Sequence, residues 1–358
     1  MFEARISQLR ELLEEENVEA FLTRNPIDIE YLTGLQVSEG SVIISRSEAY
    51  FLLDARYYEM GTKRSPISVI LSKKDSLKSL FSERLKDVKT LGVPDRLISY
   101  KDFQELSEAL PVKIKGISNS VMTLREIKDE EELERLIDAA NLGSKGYDFV
   151  LTLLKEGVTE IEVAKELEIF WLKEGGNRLA FDPIIAFGVN TSMPHYRPSS
   201  VVLNEGDPVL IDIGIMLRGY HSDMTRVVFF KKEPSQEMKK IYSIVKEAQE
   251  RALEVCRPGT RIGDVDEAAR GYITQQGYGD YFTHGLGHGI GLEIHEAPVV
   301  RNQPPHGDKI LMPGMVITIE PGIYLPDLGG VRIEDTIVIT KNKYKNLTER
   351  SKNIEIIS

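Results

Sequence analysis

Five residues combine metal-binding or proton-handling chemistry with surroundings that read as core: Asp212 in VLIDIG, Asp223 in HSDMTR, His288 in HGLGHGIG, Glu320 in VITIEPG and Glu334 in VRIEDT. Three of the four carboxylates interrupt runs with the apolar pattern of buried strands. An ionised carboxylate alone in such a place costs several kcal/mol unless it is paired, hydrogen-bonded or bound to metal. Four carboxylates and one imidazole, with no thiolate alongside, form a hard, oxygen-rich donor set that suits Mn, Co, Fe or Zn. Their summed charge balances a pair of divalent ions, so a two-metal site is expected.

The spacing supports that reading segment by segment. Asp212 and Asp223 lie on two strand-like runs joined by a turn near residues 217–219, a hairpin that would set them opposite or nearly opposite one another. A salt bridge at Asp212 and a surface turn at Asp223 would account for the hairpin as well. HGLGHGIGLEIHE holds His284, His288 and His295, three of the six histidines, among glycines that permit close backbone approach. The stretch contains neither GxGxxG nor HExxH, so a dinucleotide loop and the common zinc-protease helix are unsupported. Glu320 and Glu334 each adjoin an apolar run, and ion pairing with Arg332 is the alternative to metal binding there.

Together the segments MPHYRP, VLIDIG, GYHSDMTR, THGLGHGIGLEIHEAP, MPGMVITIEPGIYL and GGVRIEDT, in this order, resemble the creatinase and methionine-aminopeptidase (M24, pita-bread) metallopeptidase superfamily. Within it the chain is most similar to the proline-specific peptidases, prolidase (Xaa-Pro dipeptidase) and Xaa-Pro aminopeptidase. NPIDIEYLTG and LDARYYE extend the likeness more loosely to the creatinase-like N-terminal domain, which methionine aminopeptidases lack.

The resemblance implies an α/β (α+β) protein, with a small creatinase-like domain over 1–125 and a pita-bread catalytic domain over 126–358. It implies that Asp212, Asp223, His288, Glu320 and Glu334 hold two divalent ions, Mn or Co first and Zn or Fe next, with Asp223 and Glu334 bridging. His195, His284 and His295 match substrate-side histidines, and Tyr324 and Arg332 match substrate-pocket positions. In the implied chemistry Glu320 handles the proton of a metal-activated water while His295 and His195 stabilise the oxyanion. Arg332 or Arg197 would hold the carboxylate of a dipeptide. The expected substrates are small peptides with proline in second position. A dipeptidase is the leading reading and an aminopeptidase on longer peptides the alternative. A non-catalytic binding protein on the same fold is disfavoured by the intact donor set. A homodimer is also implied. Phe187 in FDPIIAFG and Arg197 in PHYRPS depart from the family pattern and are expected to reshape the substrate pocket.

The elements that must carry these residues fall into two parts. Residues 1–117 alternate short strand-like runs with helices near 2–13, 75–87 and 99–110, and an acidic helix start follows at Asp129–Glu132. In the second part KEGVTEIEVAKELEIFWLKEGG and RPGTRIGDVDEAARGYITQQGY align at an offset of 102 residues, Gly157 with Gly259 and Gly175 with Gly277, which reads as a worn internal duplication with pseudo-twofold character. Thr159 and Glu162 form a capping box in the first copy. The net charge of -11 argues against nucleic acid or an anionic membrane as partner. A single cysteine, an acidic amphipathic start and no apolar run of membrane-spanning length lead to a cytoplasmic expectation.

Overall fold

Contacts within the chain divide it into two units, Met1–Arg125 and Glu126–Ser358. The computed structural model describes residues 1–118 and 120–358. In the first unit, short runs rich in β-branched and aromatic residues form strands β1 (Ala20–Thr23), β2 (Ser41–Ser45), β3 (Ala49–Leu53), β4 (Ser68–Leu71), β5 (Thr90–Pro94) and β6 (Lys113–Ile117). They build one mixed sheet in the order β4-β3-β2-β1-β5-β6. Helices α1 (Phe2–Glu15), α2 (Pro26–Thr33), α3 (Ala55–Arg64), α4 (Ser76–Glu83), α5 (Tyr100–Ala109) and α6 (Val121–Leu124) complete the unit.

Helix α1 buries Ile6, Leu9 and Leu13, the face its spacing indicates. Helices α2 and α3 escape periodicity because each spans only two or three turns, and their signals are caps instead. The Asn25 side chain accepts from the N–H groups of Ile27 and Asp28 at 2.9 and 3.0 Å, and Asp54 accepts from Arg56 N–H at 2.8 Å.

The second unit begins with α7 (Glu130–Leu153) and α8 (Glu160–Lys173), both opened by capping boxes, Asp129 with Glu132 and Thr159 with Glu162. Strands β7 (Arg178–Leu179), β8 (Ile184–Phe187), β9 (Pro208–Ile213), β10 (Ile215–Leu217), β11 (Tyr220–His221) and β12 (Met224–Phe230) follow. Then α9 (Gln236–Val255) and α10 (Ile262–Gln275) lead into β13 (Gly287–Gly289), β14 (Glu296–Val300), β15 (Val316–Ile319), β16 (Gly322–Leu325), β17 (Gly329–Arg332), β18 (Asp335–Ile339), β19 (Tyr344–Asn346) and β20 (Ile356–Ile357).

The duplication is visible in these bounds. α7 and α9 end at Leu153 and Val255, and α8 and α10 begin at Glu160 and Ile262, each pair 102 residues apart. Gly157 and Gly259, and likewise Gly175 and Gly277, adopt left-handed φ values of 85° and 89°, and 93° and 86°. Each helix pair precedes the strands of one sheet, β12-β9-β8 after the first, to which β20 adds an edge from the end of the chain, and β14-β13-β15-β18-β19 after the second.

Alternation along β9 and β12 divides the core. Val209, Ile211, Val228 and Phe230 pack with residues of α7 and α8, such as Val150, Leu167 and Trp171. Leu210, Val227 and Phe229 pack with residues of α9 and α10, such as Val245 and Ala269. Both faces are therefore covered, and any acid in these strands is drawn away from water.

Candidate metal centre

Asp212 belongs to the Leu210 row of β9, and Asp223 and Thr225 belong to the Val227 row of β12, so all three share one sheet face. The hairpin closes through Arg218 and Gly219, with φ of 51° and 86°, between the paired Leu217 and Tyr220. Its register sets Asp212 opposite Thr225, and Asp223 is accordingly the diagonal neighbour of Asp212 rather than its direct partner.

The second sheet brings the other donors to the same place. Glu320 follows β15 and Glu334 precedes β18, and continuing their register one residue past Ile319↔Asp335 sets the two acids against each other. Glu334 N–H donates to the Thr225 carbonyl at 3.1 Å, which ties this end of β18 to β12. Strand β13 approaches β15 so closely that a Cβ on Gly287 would lie 2.0 Å from the Thr318 carbonyl oxygen, which excludes any side chain there. The register of β13 slips between His288 and Gly289, a bulge that re-aims the imidazole. The Gly289 carbonyl can only accept, so its 3.0 Å contact with His288 Nδ1 places the proton on Nδ1. Nε2 keeps its lone pair and faces Asp223 Oδ2 at 3.5 Å and Glu320 Oε1 at 3.4 Å.

Donor atoms of Asp223, His288 and Glu334 all lie within 4.8 Å of one another. Burial pushes the Asp223 and Glu334 carboxyls well above the usual range, and repulsion from the neighbouring acids adds to it. Burial likewise pushes Glu320 up to about 8, against the pull of Arg332. Burial lowers His288 to about 4. Asp212 Oδ1 is buried with no hydrogen-bond partner among the described residues. Mutually repelling buried acids, an orphaned carboxylate oxygen and a neutral imidazole form a site that divalent cations fit, because a cation reverses the repulsion and uses the vacant lone pairs.

All the candidate residues except Tyr324 line a single cavity of about 530 Å³: His195, Asp212, Asp223, His284, His288, His295, Glu320, Arg332 and Glu334. The His295 ring meets His288 edge-on with centroids 4.3 Å apart. Tyr324 is one layer back, where its hydroxyl accepts from Arg332 Nη1 at 2.7 Å and contacts His284 Nε2 at 2.8 Å. His284 Nδ1 is bound to the Gly285 carbonyl at 2.8 Å, so Nε2 is the acceptor and the tyrosine donates to it.

Two threonines that sequence reasoning passed over order the acids. Thr225 Oγ1 donates to Glu334 Oε2 at 2.6 Å and accepts from Arg332 Nε at 3.2 Å. Thr318 Oγ1 donates to Glu320 Oε1 at 3.1 Å and accepts from His288 N–H at 3.0 Å. Each lies two residues from an acid, on the same strand face, which is the signal that marks them. Arg301, also passed over, lines the cavity and makes no ion pair among the described residues. Phe187 does not reshape the pocket as expected: it is buried in the core with Trp171 and Val209, because its place in β8 turns it toward α7 and α8. Arg197 does line the cavity and pairs with Asp182.

Buried acids around a neutral imidazole, at the floor of a cavity between two sheets, make a candidate centre for divalent cations. Comparison with known proteins names the family. The model of metallopeptidase family M24 matches residues 134–341, and that of the creatinase/prolidase N-terminal domain matches residues 5–127. The chain belongs to metallopeptidase family M24, with the pita-bread catalytic fold and a creatinase-type N-terminal domain. It is 38% identical to the Xaa-Pro dipeptidase of Pyrococcus furiosus over 98% of this chain and 99% of that one. Among solved structures it is similar to an Xaa-Pro dipeptidase from Bacillus anthracis, with a TM-score of 0.95, 36% identity and coverage of 99% and 100%. It is also similar to an X-Pro aminopeptidase from Thermotoga maritima, with a TM-score of 0.87, 34% identity and coverage of 95% and 98%. Membership of the family implies divalent metal ions and peptide substrates. Among the described residues no helix is long and apolar enough to cross a membrane.

Proposed function

We propose that the chain is an Xaa-Pro dipeptidase whose Asp212, Asp223, His288, Glu320 and Glu334 would hold two divalent ions, Mn or Co. The convergence of these five side chains on one buried cavity floor, with three acids forced toward protonation when no cation balances them, carries the reading. Ions bound there depress the pKa of water and polarise a carbonyl.

The chain's own residues supply the rest. Glu320, held by the Thr318 hydroxyl, takes the proton of the attacking water at Oε1 or Oε2 and passes it to the proline nitrogen. His195 and His295, on the cavity wall, offer N–H groups to the developing oxyanion. Burial lowers the His295 pKa and keeps the ring neutral, a donor without a charge that would repel the ions. For the carboxylate of a dipeptide, Arg332 is committed to Asp212 and Tyr324, and Arg197 is paired with Asp182. Arg301 is the cavity-lining guanidinium left for that carboxylate.

Relatives named Xaa-Pro dipeptidase support the dipeptide reading, and the Thermotoga maritima relative keeps an aminopeptidase as the alternative. The test is hydrolysis of Met-Pro, Leu-Pro and Leu-Pro-Gly by chelator-treated protein with Mn, Co or Zn added back separately. Metal-restored cleavage confined to the dipeptides is expected. Cleavage of Leu-Pro-Gly transfers the assignment to an aminopeptidase, and no cleavage with any metal overturns both.

A further inference from the structure

Glu160, the first residue of α8, is a fully buried carboxylate that the metal centre does not use. It accepts five hydrogen bonds, and every donor lies in residues 187–199. Phe187 N–H and Asn190 Nδ2 reach Oε1 at 2.8 and 2.9 Å. The Tyr196 hydroxyl, Ser199 N–H and the Ser199 hydroxyl reach Oε2 at 2.8, 3.0 and 2.9 Å. The helix start adds a backbone grip on the same stretch, Glu160 N–H to the Val201 carbonyl at 3.1 Å and Ile161 N–H to the Ser199 carbonyl at 3.0 Å. His195, next to Tyr196 inside this clamp, lines the catalytic cavity.

The second copy of the duplication supplies an internal control. The residue 102 positions later is Ile262, which also starts its helix and grips the chain through its backbone, N–H to the Lys309 carbonyl at 2.8 Å. An isolated bridge, Arg261↔Ile310, stands where the first copy has Thr159↔Val202. An apolar residue therefore satisfies the architecture at this position. The first copy carries a buried acid there instead, and the segment it clamps presents His195 to the cavity.

We propose that Glu160 is a positioning residue for His195, holding residues 187–199 so that the imidazole stays at the cavity wall. The proposal rests on the reading in which His195 touches the substrate. Glu160→Gln keeps the volume and reverses the chemistry at one end. Each carboxylate oxygen faces a backbone N–H, so the amide NH₂ must oppose a donor whichever way it turns. The segment then shifts, and a displacement on the order of 1 Å at a reacting group lowers rates about 100-fold.

The test is a double-mutant cycle of Glu160→Gln with His195→Ala on Leu-Pro hydrolysis, with metal content and Tm measured for each protein. In a wild-type background E160Q should lower kcat/KM about 10- to 100-fold at unchanged metal content. In the His195→Ala background it should lower it by less than about threefold. An equal loss in both backgrounds overturns the proposal. A readout independent of turnover is the histidine-ring NMR spectrum of metal-free protein. There E160Q should move the His195 signals and leave those of His284 in place, and unmoved His195 signals overturn the proposal even if activity falls. Unchanged kcat/KM in His195→Ala alone overturns the substrate role of His195, and the ring signals then decide the clamp by themselves: moved His195 signals support it and unmoved ones overturn it. Tyr196→Phe, which removes one of the five donors, carries the same cycle if E160Q does not fold.

Discussion

The guanidinium of Arg332 and the carboxylate of Asp212, 120 residues apart in the chain, form a buried ion pair on the floor of the cavity. Burial works against the arginine's charge, and Tyr324, Asp212 and Glu320 together outweigh it and hold its pKa well above the usual value. The same fork donates to Tyr324 at 2.7 Å and to Thr225 at 3.2 Å, so one side chain orients a candidate ligand and both of its neighbours.

A lysine offers a point charge and no fork, so Arg332→Lys cannot serve Asp212, Thr225 and Tyr324 together. We expect it to lower kcat at least about 10-fold and by the same factor for Leu-Pro and Leu-Pro-Gly, whatever the wild-type ratio between them. Steady-state kinetics on both substrates decides this. A loss restricted to the dipeptide would return Arg332 to the role of carboxylate binder.

Arg301→Ala has the opposite signature. It should raise KM for Xaa-Pro dipeptides about 10-fold or more, the loss of one charge-assisted hydrogen bond, and leave kcat nearly unchanged. KM values for dipeptides with free and amidated carboxyl termini provide the check, since the amide should be indifferent to the substitution.

Asp223 is a buried acid among acids, so neutralising it should help the metal-free fold and ruin metal binding. Asp223→Asn is expected to raise the Tm of chelator-treated protein by about 2–4 °C, the shift that accompanies about 1 kcal/mol in a domain of this size. It should also abolish the further rise that Mn gives the wild type. Thermal melts with chelator and with Mn measure both, and a lower Tm in chelator would refute the repulsion argument.

The pH dependence of the metal-free protein has a definite sign. Glu320, Asp223 and Glu334 have folded pKa values raised by burial, so the stability tied to their protonation is present at low pH and lost as pH rises, through about 8 for Glu320. His288 and His284, lowered by burial to about 4 and about 3, act in the other direction, but only below the histidine range near 6.5. Between about pH 6.5 and 8.5 the acids act alone, and the Tm of chelator-treated protein should fall. Saturating Mn should flatten that slope. A Tm that rises across the window without metal would contradict the shifts.

Gly146 lies inside α7, where alanine is favoured by about 1 kcal/mol. A Cβ there would meet Trp171 Nε1 at 2.3 Å and Cε2 at 2.4 Å, while that indole N–H donates to the Leu142 carbonyl at 2.9 Å. Overpacking of a fixed indole costs about 1–3 kcal/mol or more and should win. Gly146→Ala is expected to lower the Tm by about 2–8 °C, as calorimetry would register, with kcat/KM of the folded fraction unchanged.

Much of the architecture is legible in the chain because its causes are local. The acidic start of α7, the capping box of α8 and the Arg218–Gly219 turn each arise from neighbouring side chains and dihedrals, and they stand where the residues announce them. The 102-residue repeat was legible because glycines at left-handed positions tolerate little replacement. Helices α2 and α3 were not, since eight and ten residues are too few to show a period.

The sequence by itself determined that acids would interrupt apolar strand-like runs, and therefore that a positive charge was expected beside them. Only the tertiary structure decided which atoms meet. It set Asp223 diagonal to Asp212, brought Thr225 to Glu334 and Thr318 to His288, gave Arg332 to Asp212 rather than to solvent, and turned Phe187 into the core. The physical reason is that a strand's pattern fixes which side chains share a face. The pairing of faces from segments separated by 100 residues or more depends on register, bulge and packing that no local run of residues encodes.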